Sequence, residues 1–202
     1  MTPSSAARMV GSGGRPRSLE REQEILRCAL AALVDEGFNA MTMEGVASRA
    51  GAGKATLYRR WHNKAELVAD AIRAHACTDV PTVDTGDVRA DLRTFLRAMH
   101  GAFCGIDGPL MAVFTAERIR HPELGEAFER RFVADRRRYL RMIVRRGVER
   151  GQLPANTDVD LLAEVGPALM LHEFVTRRGR LRQDLPERIL AQFLPQTQAQ
   201  KN

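Results

Sequence analysis

Between residues 54 and 60 the chain reads Lys-Ala-Thr-Leu-Tyr-Arg-Arg, a concentration of hydrogen-bond donors beyond what solvent exposure requires. Lys54, Thr56, Tyr58, Arg59 and Arg60 share one short helical stretch, while Leu57 and Trp61, four residues apart, mark its inward side. A cation on a helix face can meet the O6 and N7 acceptors of guanine in a major groove, and hydroxyls can meet phosphate oxygens. By chemistry Lys54 and Arg59 are the foremost candidate base readers, with Thr56 beside them. Two fragments glance at catalysis and fail. Gly51-Ala-Gly-Lys54 ends like a phosphate-binding loop, but Ser48 stands in place of its first glycine and Ala55 in place of its metal-binding hydroxyl. His172-Glu173 opens a zinc-protease pattern in which Thr176 occupies the second histidine position. With no catalytic set, metal site or cofactor motif remaining, the sequence predicts a binding protein and not an enzyme.

The donors need elements to position them. Thr42 can cap a helix with Val46, Ala47 and Ala50 inward, Met41 can staple onto Val46, and Gly51 can end that helix in a left-handed turn. The result is two short helices joined by a glycine turn. Upstream, Ile25, Leu26, Ala29, Leu30, Leu33 and Val34 recur at helical spacing over residues 19–36, with Gly37 as the stop and Phe38 folding back. Downstream, Asn63-Lys64-Ala65-Glu66 reads as a capping box, Asn63 accepting from the Glu66 amide and the Glu66 carboxylate reaching back. It opens a helix that buries Leu67, Val68, Ala71 and Ile72. Lys64 then sits at the positive end of a helix dipole, a tension that a bound phosphate would relieve.

These residues resemble the amino-terminal domain of the TetR (tetracycline-repressor) family of bacterial regulators. The resemblance rests on Ile25 to Phe38, Thr42, Gly51, Thr56-Leu57-Tyr58, Trp61 and Asn63-Lys64, and covers about a quarter of the chain. It implies that Lys54, Ala55, Thr56, Tyr58, Arg59 and Arg60 face double-stranded DNA, with Thr42, Tyr58 and Lys64 on phosphates. Three positions depart from the family pattern: Gly53 replaces a capping serine, Ala55 a glycine or proline, and Met43 a second threonine.

At 202 residues with 44% hydrophobic side chains, the chain can bury a sizeable core, and few aromatics with abundant Ala, Leu, Arg and Glu favour helix throughout. The expected fold is all-α: a three-helix helix-turn-helix head and a carboxy-terminal helical domain, about nine helices in all. A formal charge of +6 suits a polyanionic partner. Three cysteines without C-x-x-C spacing argue against a disulfide framework or zinc site, and no apolar run is long enough to span a membrane, so a cytoplasmic protein is expected.

Residues 1–18 read as a flexible arm in which Arg15 and Arg17 lie on an extended backbone, suited either to a narrow minor groove or to solvent. The head follows over 19–77, a linker over 78–87, a regulatory and dimerisation domain over 88–195 and a tail over 196–202. Within the third segment, helices are expected from Val88 to about Gly105, from Pro109 to about Arg120, unbroken from Pro122 to Arg150, from Asp158 to Arg178 and from Leu185. Met99, Phe103, Met111, Phe114, Tyr139, Met142, Met170 and Phe174 supply adaptable apolar groups and Glu117 a polar one; the resemblance implies that some line a cavity for a small-molecule effector, whereas composition alone suits them equally to a core. The last two helices carry more apolar surface than one small domain hides, which points to a homodimer through them. The sequence therefore predicts a ligand-responsive dimeric repressor on a palindromic operator; the alternative is a helical ligand-binding dimer with only non-specific affinity for DNA.

Overall fold

The computed structural model describes residues 15–76, 82–105 and 108–194. Its helices are α1 (Arg15–Ala40), α2 (Met43–Arg49), α3 (Lys54–Tyr58), α4 (Lys64–His75), α5 (Val88–Gly105), α6 (Gly108–Arg120), α7 (Pro122–Phe128), α8 (Ala134–Glu149), α9 (Val159–Thr176) and α10 (Leu185–Phe193). A π-helical turn, Glu129–Val133, joins α7 to α8 into one rod, so the described residues form nine rods and no strand. No helix among them is long and apolar enough to cross a membrane.

Local chemistry sets the elements of the head. The Thr42 hydroxyl accepts the Gly45 amide at 3.0 Å and starts α2; Gly51, with φ of 59°, makes the left-handed turn into α3. Gly53 precedes α3 with no side-chain cap, as its missing side chain dictates. Gly37, at φ 76° and ψ 163°, breaks α1 sharply enough for Phe38 and Met41 to turn inward, each 1% exposed. Helix α1 begins at Arg15, so the backbone from Arg15 to Ser18 is helical where an extended arm was expected. Residues 1–14 of that arm, and the tail, lie outside the described residues.

Lysine at position 64 has a different occupation from the phosphate suggested by its place at a helix start. Its ammonium donates to the carbonyls of Phe38 (2.6 Å), Asn39 (3.1 Å) and Met41 (3.2 Å) and stands 4.7 Å from the Phe38 ring centroid. Three acceptors freed by the kink in α1 thus offset the dipole penalty, and the cation ties α4 to α1. On the other flank the Arg21 guanidinium donates to the carbonyls of Gly51 (2.7 Å) and Ala50 (3.3 Å), pinning the turn between α2 and α3.

Helix α4 is the shared wall of the molecule. Ala65, Leu67, Val68, Ala69, Ala71 and Ile72 are all buried, because α4 packs on α1 on one side and on α7 and the π turn on the other. The apolar cluster of the head consequently runs on into α6 and α7 through Leu110, Met111, Phe114, Leu124 and Phe128. A second cluster joins α5, α8, α9 and α10. There Gly166 and Gly147 permit contact that a side chain would obstruct: a Cβ on either would lie 2.6 Å from Leu96 or Val88 of α5. The segment before α5 is held by Tyr139, whose hydroxyl donates to Val83 O at 2.9 Å, and by buried Asp91, which accepts from Thr85.

Replacing Lys64 with Met keeps the aliphatic stem and removes the three charge-assisted bonds. The full-length variant should lose about 1 to 2 kcal/mol in urea unfolding, less than three such bonds summed because the ammonium is only partly buried. An unchanged midpoint would show that the clamp does not hold α4 to α1.

Candidate nucleic-acid interface

The exposed face of α3 comprises Lys54, Ala55, Tyr58, Arg59 and Arg60, with Thr56 half-buried and Leu57 and Trp61 closing the underside. Its orientation is set from α2. The Tyr58 hydroxyl donates to Glu44 Oε1 at 3.1 Å, and Lys54 Nζ lies 3.9 Å from the same oxygen. The Glu44 carboxyl is held below its ordinary range by its own backbone amide and then by Tyr58, while that hydrogen bond pushes the Tyr58 phenol upward. At neutral pH Glu44 is an anion and Tyr58 a donor, which is the pairing that fixes α3 against α2.

The cations of the head divide into two groups. Arg60 pairs with Glu22 of α1, and Arg49 with Glu36 (2.6 Å) and Asp35 (3.1 Å), so these side chains brace the three helices. Arg59 is exposed, and among the described residues no carboxylate lies within ion-pair distance of it. Lys54 has only the long contact to Glu44. The donors free to leave the protein surface are therefore those of Lys54 and Arg59, while Thr42 uses its hydroxyl oxygen as a cap and keeps its proton to donate. Of the other residues carried over by resemblance, Lys64 is occupied at the α1 kink, and the side chains of Arg15 and Arg17 lie outside the described residues.

Besides the apolar contacts of α1 and α4 with α6 and α7, an ion-pair cluster joins the recognition unit to the second half of the chain. Arg131, in the π turn, donates from Nη2 to Glu66 Oε2 (2.7 Å) and from Nη1 to Asp70 Oδ2 (2.8 Å), both on α4. Asp70 Oδ2 also accepts the Trp61 indole N–H at 2.9 Å, and Glu66 Oε2 the His62 amide at 3.1 Å. Asn63 caps α4 as expected, at 2.9 Å to the Glu66 amide, but the returning carboxylate meets His62 and not Asn63 because Arg131 draws it outward. Burial pushes the Glu66 carboxyl up, yet the His62 bonds and the Arg131 guanidinium outweigh it and hold the group below its ordinary value of 4.5.

Behind the π turn lies a cavity of about 300 Å³ between α5, α6, α8 and α9, with Ile72 of α4 on its wall. Met99, Phe103, Met111 and Phe114 line it. Five candidates sit elsewhere. Glu117 faces Gly37 and pairs with His121 (3.3 Å) at the junction with α1; Tyr139 holds Val83; Met142 is exposed; Met170 is buried in the second cluster; and Phe174 lies behind Phe103, ring centroids 5.5 Å apart. In their place the cavity recruits Phe128, Phe132, Arg118, Arg136 and Arg137. One signal for these was present in the sequence: Arg136 stands at an inward position of the stripe Phe128, Phe132, Leu140, where a closed core would carry an apolar residue.

The sequence model described as "Tetracyclin repressor-like, C-terminal domain" matches residues 82–193, and that described as "Bacterial regulatory proteins, tetR family" matches residues 25–71. The chain belongs to the TetR family. It is similar to the HTH-type transcriptional regulator YdeS of Bacillus subtilis, 29% identical over 153 residues that cover 76% of this chain and 77% of that one. It is also similar to the DNA-binding transcriptional repressor TetR of Mycobacteroides abscessus, 30% identical over 158 residues that cover 77% and 83%. Its fold resembles that of the transcriptional regulator FadR from Bacillus subtilis in complex with stearoyl-CoA, with a TM-score of 0.65 at 15% identity, covering 85% of this chain and 96% of that one. The family is one of DNA-binding regulators and not of enzymes.

Two outcomes follow from this geometry. Arg59→Ala should reduce discrimination at particular base pairs by about 1 to 3 kcal/mol, whereas Arg60→Ala should chiefly lower folding stability, as read by competition binding against mutated duplexes and by thermal unfolding. Equal loss of discrimination in both would contradict the division of the cations. For Glu66, a folded-state pKa below 4.5 means that its contribution to stability is complete above that value and is lost as pH falls through the folded-state pKa. The wild type should therefore destabilise more steeply than Glu66→Gln below about pH 4.5, and parallel thermal profiles would rule out the contribution.

Proposed function

We propose that this TetR-family protein is a ligand-responsive repressor that binds a palindromic operator as a homodimer in the cytoplasm. The observation that carries the reading is the exposed α3 face, on which Arg59 projects without an intramolecular partner while every neighbouring arginine of the head is braced. Lys54, Thr56 and Arg59 read bases; Tyr58 and the Thr42 hydroxyl position phosphates. The relative printed as a transcriptional repressor supports the sign of regulation.

Dimerisation is supported by α9. Leu161, Leu171 and Val175 are exposed along α9, and Phe193 of α10 is 41% exposed. One chain leaves this apolar stripe in water; a two-fold copy would bury it. Such symmetry sets the two copies of α3 about 34 to 36 Å apart, or a multiple of that, for entry into successive major grooves.

The effector site is the cavity, a reading supported by its apolar walls and by the neighbour solved with a bound acyl-CoA. Phe128 and Phe132 flank one side of the π turn at the cavity while Arg131 projects from its other side to α4. A π turn holds one more residue than an α turn and converts locally, so a ligand pressing on the two phenylalanines turns Arg131 relative to Glu66 and Asp70. Differential affinity of the ligand for two head spacings is then the whole of the regulation.

Selection from random duplex DNA should recover one palindrome, and enrichment of no sequence above background would favour a head with only non-specific affinity. Arg131→Met should weaken operator binding about fivefold or more without altering the selected sequence, the low end of typical coupling between sites. Full affinity in that variant would remove the π turn from the signalling route.

A further inference from the structure

Resting on the reading of the cavity as the effector site, the charges on its wall specify a class of effector. Five ionisable side chains line it: Arg118, Arg136, Arg137, Glu129 and Glu164, three cations against two anions, a surplus of one positive charge. Both carboxylates are committed to the same guanidinium. Glu129 Oε1 lies 2.6 Å from Arg137 Nη1, and Glu164 Oε1 lies 3.6 Å from Arg137 Nε. Arg136 lies along the Phe132 ring, 3.7 Å from its centroid, and donates to Phe132 O at 3.0 Å.

Arg118 differs from both. It is half-buried on α6, 5.5 Å from the Phe128 ring centroid, and among the described residues no carboxylate lies within ion-pair distance of it. One helical turn earlier on the same face, the Thr115 hydroxyl also borders the cavity and has no hydrogen-bond partner among the described residues. A half-desolvated cation with an unused donor at i−3 is the complement of a carboxylate: the guanidinium supplies two parallel N–H bonds and the hydroxyl a third. The α5 and α6 walls beside them are apolar, with Met99, Met111, Phe103 and Phe114 offering aromatic rings and sulfur to a flat body. The volume, at the low end of ligand cavities, suits a compact body and excludes a large headgroup from the interior.

We propose that the effector is a compact apolar monocarboxylate, bound with its carboxylate on Arg118 and Thr115 and its hydrophobic body between α5 and α6. A cationic ligand is disfavoured by the same arithmetic, since neither Glu129 nor Glu164 can be recruited without stripping Arg137.

The test compares three probes of one shape by isothermal titration calorimetry on the full-length protein: naphthoate, neutral naphthalenemethanol and cationic naphthylmethylamine. The expected order is naphthoate tightest, the alcohol about tenfold or more weaker and the amine weakest. In Arg118→Leu, naphthoate should fall to the affinity of the alcohol while the alcohol is unchanged, and Arg118→Lys should restore part of the preference. Equal binding of all three, tighter binding of the amine, or a naphthoate affinity indifferent to Arg118→Leu would overturn the carboxylate assignment and leave the cavity reading standing. Binding of none of the three to the folded protein would overturn both. If Arg118→Leu does not fold, Thr115→Val serves instead, with a loss of naphthoate affinity and none for the alcohol expected, and equal affinities contradicting the assignment.

Discussion

Arg131 supplies the charged link between the two halves of this protein, beside the apolar packing of α1 and α4 on α6 and α7. Arg131 reaches from the π turn to two carboxylates on α4, and each of those carboxylates also accepts a donor from the end of the recognition segment, the Trp61 indole or the His62 amide. Four donors on two carboxylates make the position of α4 the common consequence of both halves. Six apolar residues of α4 are buried, and the helix is packed on α1 on one side and on α7 and the π turn on the other, with Glu66 and Asp70 left at its edge for Arg131. Arg131 thus links the π turn to α4 and, through the partners it shares with Trp61 and His62, to the end of the recognition segment.

The same economy of partners separates structure from recognition among the many cations. Arg21, Arg49, Arg60 and Lys64 end on carbonyls or carboxylates of the head itself, and their directional bonds make it rigid. Lys54, with one long contact to Glu44, and Arg59 are left outside that bracing. Gly53 leaves the start of α3 without a side-chain cap, and the Tyr58–Glu44 bond compensates by tethering the helix from its other end. On the proposed reading, the positive charge of the chain meets DNA mainly through these few unbraced groups, and only loosely through its total.

What could be read from the sequence was what short-range bonds determine. Thr42, Gly51 and Asn63 act within three residues of themselves, and their roles as caps and turn appear in the structure where the pattern put them. Amphipathic spacing likewise placed the helices and the all-α fold. Decisions that depend on which helix faces which were not legible. Lys64 looked exposed because the three carbonyls that hold it come from a kink in α1; Glu66 looked like half of a box because Arg131 lies 65 residues away. Tyr139, Met170 and Phe174 share the composition of a ligand pocket with Met99 and Phe103, and only the way α8 and α9 pack on their neighbours consigns them to the core. The π turn is hidden for a related reason: the stripe from Phe128 to Leu140 is continuous with ordinary helical spacing, and one extra residue is absorbed without breaking it.

Repression as proposed needs a symmetric pair of α3 helices, held by α4, to enter the DNA. A crystal structure of the full-length dimer on its selected duplex measures this directly. Arg59 and Lys54 are expected on base edges, with the two α3 helices about 34 to 36 Å apart, or a multiple, in major grooves on one face of the duplex. Recognition helices lying outside the grooves, with Arg59 turned to solvent, would contradict it.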